Sequence, residues 1–206
     1  MHSSISIIAL AGIATALPTN LYPTTKDNIP LPIAIEITER QNQACFVVGS
    51  TTLPAEVADV ADSLASTVTC STTSTTISGV PDVTSGSTTF SSIDFSQSSQ
   101  TPLQFALSKF ATSATLADSD LATFQDELNV YLATEAGIRS VGGSLAIKVP
   151  KFFLEFQVSR IQTAQGNAPT DAGQQVDHLR DKVLKNAAGE DQSLLDQVTT
   201  LATQVS

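Results

Sequence analysis

The chain has 206 residues and carries 20 acidic against 10 basic side chains, a formal charge of −10, with no Trp, two Tyr and two Cys. That acidity excludes a nucleic-acid binder and a protein that docks on anionic membranes, because both surfaces demand clustered Lys and Arg. No stretch reaches 18 uninterrupted apolar residues, so the mature chain is expected to be soluble, with no membrane span.

The N-terminus reads as an export signal. Ile5 to Ile13 form an apolar run of about ten residues, and Ala14-Thr15-Ala16 supplies the small-x-small pattern of a cleavage site. The run is too short to span a bilayer, and residues 1–16 are assigned to a secretory signal peptide. Pro18, Pro23, Pro30 and Pro32 then break any helical or alternating period across residues 17–40. This Pro-rich stretch reads as a pro-segment cut after Arg40, or as coil ending in a short strand over residues 33–40. The remaining residues, 41–206, are long enough for one domain with its own core.

Export bears on the cysteines. Cys45 and Cys70 are the only two, an oxidising compartment favours disulfides, and one intramolecular pairing exists. A Cys45–Cys70 bridge is expected. The only His after position 40 is His178, so neither a Cys/His nucleophile nor a His-rich metal centre is expected. No cofactor is implied.

The first periodic segment runs from Pro54 to Val68, with Val57, Val60, Leu64 and Val68 on one face of a helix. Residues 71–101 hold 18 Ser or Thr in 31 positions but also spaced apolar residues. They read as Thr-rich strands over residues 74–80 and 87–95 around a turn at 81–86, or as an ordered loop. Thr101-Pro102 caps a short helix. Asp118 or Ser119 caps the next, whose stripe is Leu121, Phe124, Leu128, Tyr131 and Leu132. Pro150 opens a helix that is apolar almost all round and is expected to be the most buried. Asp171 begins a fifth, and a sixth runs from about Asp191 to Val205. The expected fold is mainly α: a single-domain bundle of about six helices with a small Thr/Ser-rich β-hairpin or ordered loop.

Catalytic chemistry has few candidates. No nucleophile elbow is present. The carboxylates Asp126-Glu127, Glu135, Glu155 and Glu190-Asp191 are candidates for acid–base work, and most fit a solvated helix face. Glu155 interrupts the apolar helix, where a structural ion pair with Arg139, Arg160 or Lys151 is the preferred reading. Phe152, Phe153 and Phe156 either pack the core or line a cavity for a small apolar ligand.

Four segments carry a resemblance: Ala44 to Gly49, Ile77 to Gly86, Tyr131 to Ser140 and Val149 to Leu154. Together they resemble the uncharacterised small secreted proteins of filamentous ascomycete fungi, over nearly all of residues 41–206. The resemblance implies an extracellular protein with one disulfide and no established enzyme activity. The expected function is therefore that of a secreted, non-enzymatic protein of the extracellular space, cell wall or host interface, its partner unknown. Two alternatives stand: a carrier of a small apolar ligand in the helical core, and a carboxylate-dependent hydrolase.

Overall fold

A computed structural model describes residues 44–205. The signal-peptide and pro-segment assignments, with the cleavage positions Ala16 and Arg40, lie outside the described residues.

Six helices are present among the described residues: α1 (Ala55–Leu64), α2 (Pro102–Lys109), α3 (Leu121–Ser140), α4 (Lys148–Ala164), α5 (Val176–Asn186) and α6 (Gln192–Ala202). They form a mainly α, single-domain fold with one small antiparallel sheet, as the periodicity predicts. The sheet, in order β1-β2-β3, comprises β1 (Thr69–Thr75), β2 (Pro81–Ser85) and β3 (Thr88–Thr89).

The strands do not fall where their apolar residues suggest. The expected turn at 81–86 is strand β2 itself, pairing Cys70 with Val83 on one side and Thr84 with Thr89 on the other. The turn comes earlier, at Ile77-Ser78-Gly79-Val80, where Ser78 and Gly79 both take positive φ, 58° and 74°. Two consecutive left-handed residues match the twist of a tight hairpin. Pro81 opens β2, a position at which its missing N–H costs little. Phe90 to Ile93 and Phe95 to Gln97 are short 3-10 turns, which is why Phe90, Ile93 and Phe95 share no strand parity yet are all buried.

Helix ends follow local hydrogen bonding. Thr101 Oγ1 accepts from Gln104 N–H at 3.4 Å, and Pro102 takes the first helical position of α2. The cap of α3 is Asp120 rather than Asp118 or Ser119. Its carboxylate accepts from the N–H groups of Ala122 and Thr123 and from the Thr123 hydroxyl, and these bonds hold the carboxyl below its usual range. Helix α4 starts two residues before Pro150, which lies in the first turn, where no N–H is required. Asp171 caps a short 3-10 turn (Ala172–Gln174), and α5 begins only at Val176. Helix α1 stops at Leu64, and Val68 is buried in the approach to β1.

Helix α4 is the centre of the fold. It packs against α2, α3 and α5, while α3 also carries α1 and β2. Phe153, Leu154, Phe156 and Ile161 are fully buried along α4, while Phe152 and Glu155, on its remaining face, are half-buried. The same core continues around Tyr131, whose ring meets Phe90 and Phe110 edge-on at 5.1 and 5.6 Å and whose hydroxyl donates to the Ile93 carbonyl at 2.7 Å.

Gly137 lets the N-terminal segment lie directly on α3. A Cβ there would stand 2.6 Å from the Phe46 carbonyl oxygen and 2.5 Å from Val80 Cγ1. The same segment is pinned by Gly49 N–H donating to Ser140 Oγ at 2.9 Å and by Thr51 N–H donating to the Ser140 carbonyl at 2.9 Å. The Cys45–Cys70 disulfide, Cα–Cα 6.0 Å, ties this segment to β1.

One carboxylate on α3 makes stability depend on pH. Burial pushes Glu127 up to about 7, with Lys109 pulling weakly the other way. A folded value above the unfolded one means that the stability is full below the ordinary Glu value of 4.5 and is lost as pH rises through about 7. Glu127→Gln removes that loss and gains about 1–2 kcal/mol above neutrality, after discounting for the side chain's partial exposure. Urea midpoints of both proteins between pH 4 and 8 check this; parallel curves contradict it.

Candidate functional site

Helices α1, α3, α4 and α5, with the turn before α5, enclose a cleft of about 400 Å³. Its apolar wall is Val57 and Val60 from α1, Leu132 from α3, Phe152 from α4 and Leu179 from α5. The helical period explains the set. Val57 and Val60 are three apart on one face of α1, and Phe152 lies one turn beyond Lys148 on α4.

The polar lining is unusual for so acidic a chain. Arg139, Lys148, Lys151 and Lys182 all reach the cleft, half of the eight basic residues that follow Arg40. Three carboxylates face them: Glu56, Glu135 and Glu155. Exposed His178 stands at the rim.

The floor is an ion-pair network. Arg139 donates through Nε and Nη2 to Glu135 Oε1 at 2.9 and 2.8 Å. Lys151 Nζ lies 3.4 Å from Glu135 Oε2 and 3.3 Å from Glu155 Oε1, so one ammonium bridges two carboxylates. The Lys151, Glu135 and Glu155 side chains are 9%, 5% and 14% exposed. Burial pushes the Glu155 carboxyl above the usual range, and the neighbouring Lys151 opposes it. Lys151 Nζ also sits 3.5 Å above the centroid of the Phe152 ring.

The upper rim differs. Lys148 and Lys182 approach the same ring at 5.9 and 6.0 Å, one from the start of α4 and one from α5. Neither forms an ion pair with a carboxylate among the described residues. Phe152 is therefore a platform surrounded by three ammonium groups, two of them outside ion-pair distance of any carboxylate among the described residues, with Lys182 acting on Glu155 from farther away.

The structure separates the residues that the sequence grouped. Only Phe152 borders the cleft. Phe153 and Phe156 are fully buried, their rings 6.0 Å apart. Of the three cations considered for Glu155, Lys151 is the partner and Arg139 serves Glu135. Arg160 points elsewhere, because five residues of helix turn it well away from Glu155. It is buried beside Phe156, donates to Gln157 Oε1 and to the Gln204 carbonyl, and burial lowers its value to about 10. The remaining acids are dispersed. Asp126 accepts from Ser85 Oγ at 2.7 Å, and Glu190 accepts from Leu103 N–H at 3.1 Å at the start of α2. Lys148 and Lys182 escaped sequence reasoning. The i, i+3, i+4 spacing of Lys148, Lys151 and Phe152 was the available signal, but Lys182 belongs to another helix and is brought in only by the packing of α5 on α4.

Among the described residues, no group of three or more His, Cys, Asp or Glu is placed to hold a metal ion, and no helix is long and apolar enough to cross a membrane. No curated protein and no solved structure matches the chain significantly. A family profile does match, over residues 47–206, a span that includes every residue lining the cleft. The chain belongs to the family described as a domain of unknown function, DUF7143.

Proposed function

We propose that the protein is a small secreted fungal protein that acts outside the cytosol, without enzymatic turnover, by holding a small ligand with an apolar body in the cleft between α1, α3, α4 and α5. The observation that carries this reading is the cleft itself: an apolar wall contributed by four helices, closed below by charged groups that satisfy one another. Its volume of about 400 Å³ falls in the range of about 300–1,000 Å³ usual for small-molecule sites. The ligand site moves from the helical core, which Phe153 and Phe156 fill, to this surface cleft. Binding is favoured over hydrolysis because Lys151 ties Glu135 and Glu155 into one ion-pair network at the floor of the cleft, the arrangement of a structural pair. The Cys45–Cys70 bridge suits an oxidising compartment.

The test uses the full chain produced in a secreting host. Sequencing the N-terminus of the released protein is expected to give Gln41; retention in the cell removes export, and a start at Leu17 removes the cut at Arg40. The neutral probe N-phenyl-1-naphthylamine is expected to bind with enhanced fluorescence. Phe152→Asp is expected to abolish the signal, and Val141→Asp, at an exposed site outside the cleft, to leave it unchanged. Absence of binding, or binding indifferent to Phe152→Asp, overturns the cleft as a ligand site.

A further inference from the structure

We infer that the ligand of this cleft is an organic monocarboxylate, its apolar body against Val57, Val60, Leu132 and Leu179 and its carboxylate between Lys148 and Lys182. This rests on the cleft being a ligand site at all.

Three observations lead to it. The first is charge. The protein is acidic overall, yet four cations face three carboxylates in the cleft, an excess of one positive charge. An acidic surface repels anions, so a local excess of the opposite sign marks where one is accepted. The excess of one fits a monoanion better than a phosphate monoester.

The second is how the charges are shared. Glu135 is satisfied by Arg139 and Lys151, and Glu155 by Lys151. The floor is closed on itself. Lys148 and Lys182, by contrast, form no ion pair within 4 Å among the described residues, and Lys182 acts on Glu155 only from farther away. Both residues are half-buried, and their ammonium groups lie 5.9 and 6.0 Å from the centroid of one aromatic ring, beside the apolar wall. Ammonium groups held this way gain more from an arriving carboxylate than solvated surface lysines do.

The third is the wall. Five apolar side chains adjoin these lysines, which matches a molecule with an apolar body and one charged end. Glu56 is the acid in the lining outside the floor network, and it comes from α1, the helix that packs on α3. A second negative charge on the ligand's body would meet it unfavourably.

Decanoate and 1-decanol, matched in chain length, separate the parts of the argument. Each is titrated into the full chain as a competitor of N-phenyl-1-naphthylamine. Decanoate is expected to displace the probe at least tenfold more effectively than decanol, with an advantage that shrinks as salt is raised. Lys148→Gln and Lys182→Gln are each expected to weaken decanoate about tenfold, the loss of one charge-assisted contact, and to leave decanol unchanged. Lys185→Gln, on the exposed side of α5, serves as the control. These are surface or half-buried substitutions, and far-UV circular dichroism checks that each variant is folded. Equal displacement by decanoate and decanol overturns the carboxylate inference while leaving the cleft as a ligand site. Displacement by neither, with no probe binding, overturns both.

Discussion

Replacing Lys151 by Met is expected to destabilise the protein by about 3 kcal/mol at neutral pH, and the loss should shrink as the solution is acidified. The ammonium of Lys151 is the only bridge between Glu135 and Glu155 among the described residues. Met keeps much of the side-chain volume, so the change is chiefly one of charge. Breaking a buried pair by removing one partner costs about 3–5 kcal/mol, because the surviving charge stays desolvated. Glu135 keeps Arg139, and Glu155 retains some exposure, which places the expectation at the low end of that range. The pH dependence has a definite sign. Burial raises the Glu155 carboxyl in the folded state, so its contribution is most favourable below the ordinary Glu value and is lost as pH rises through the folded one. Without Lys151 that rise is larger, because only the more distant Lys182 still opposes desolvation. The deficit of the variant is therefore largest at neutral pH and fades in acid, where Glu155 is protonated in both states. Lys151→Met combined with Glu155→Gln should recover most of the loss, since the orphaned charge is gone. Urea unfolding of wild type, single and double variants at pH 7.5 and 4 gives the comparison. Equal losses in the single and double variants, or a deficit independent of pH, would show that Lys151 acts by packing alone.

The contrast between Glu155 and the β element shows what could be read beforehand. Glu155 inside an apolar helix requires a partner, and helical geometry puts Lys151 one turn away on the same face. That step is local and needs no tertiary information. The helices follow from the same period, but their ends differ by two residues at the α3 cap, Asp120 against Asp118, and by four or five at the end of α1 and the start of α5, where Val68 and Asp171 lie outside the helices. The strands lie elsewhere than a strand period for their apolar residues predicts. Phe90, Ile93 and Phe95 are buried from 3-10 turns, whose geometry imposes no alternation. The signal that would have placed the hairpin was Ser78-Gly79, a pair suited to left-handed backbone. The cleft was the least legible feature. Its lining joins residues 56 and 182, and nothing in either segment announces the other. Phe152, Phe153 and Phe156 were grouped by chemistry, but only the angle at which α4 meets α3 and α5 decides which ring faces solvent.

Removing the disulfide should act on stability and on the cleft together. With Cys45→Ser and Cys70→Ser combined, the loop of 25 residues is released, and the chain-entropy model gives a loss of about 3.5 kcal/mol. Cys45 is exposed and Cys70 only half-buried, so little packing is lost and the effect belongs mainly to the unfolded chain. What the loop contains is helix α1. Ten residues are too few for a helix to persist alone in water, and α1 buries only Ala61 and Leu64. It is held by its packing on α3 and by the covalent tie that flanks it. Opening the bridge should therefore raise hydrogen exchange in residues 55–64 more than in α4, whose core faces are unaffected. Since Val57 and Val60 form one side of the cleft, N-phenyl-1-naphthylamine should bind more weakly to the variant even where it is fully folded. That coupling distinguishes the structural argument from simple destabilisation. A uniform rise in exchange across all helices, with unchanged probe affinity, would mean that α1 is held by packing and that the bridge only restricts the unfolded state. A selective rise in α1 accompanied by weaker probe binding would mean that the Cys45–Cys70 bridge also sets the shape of the cleft.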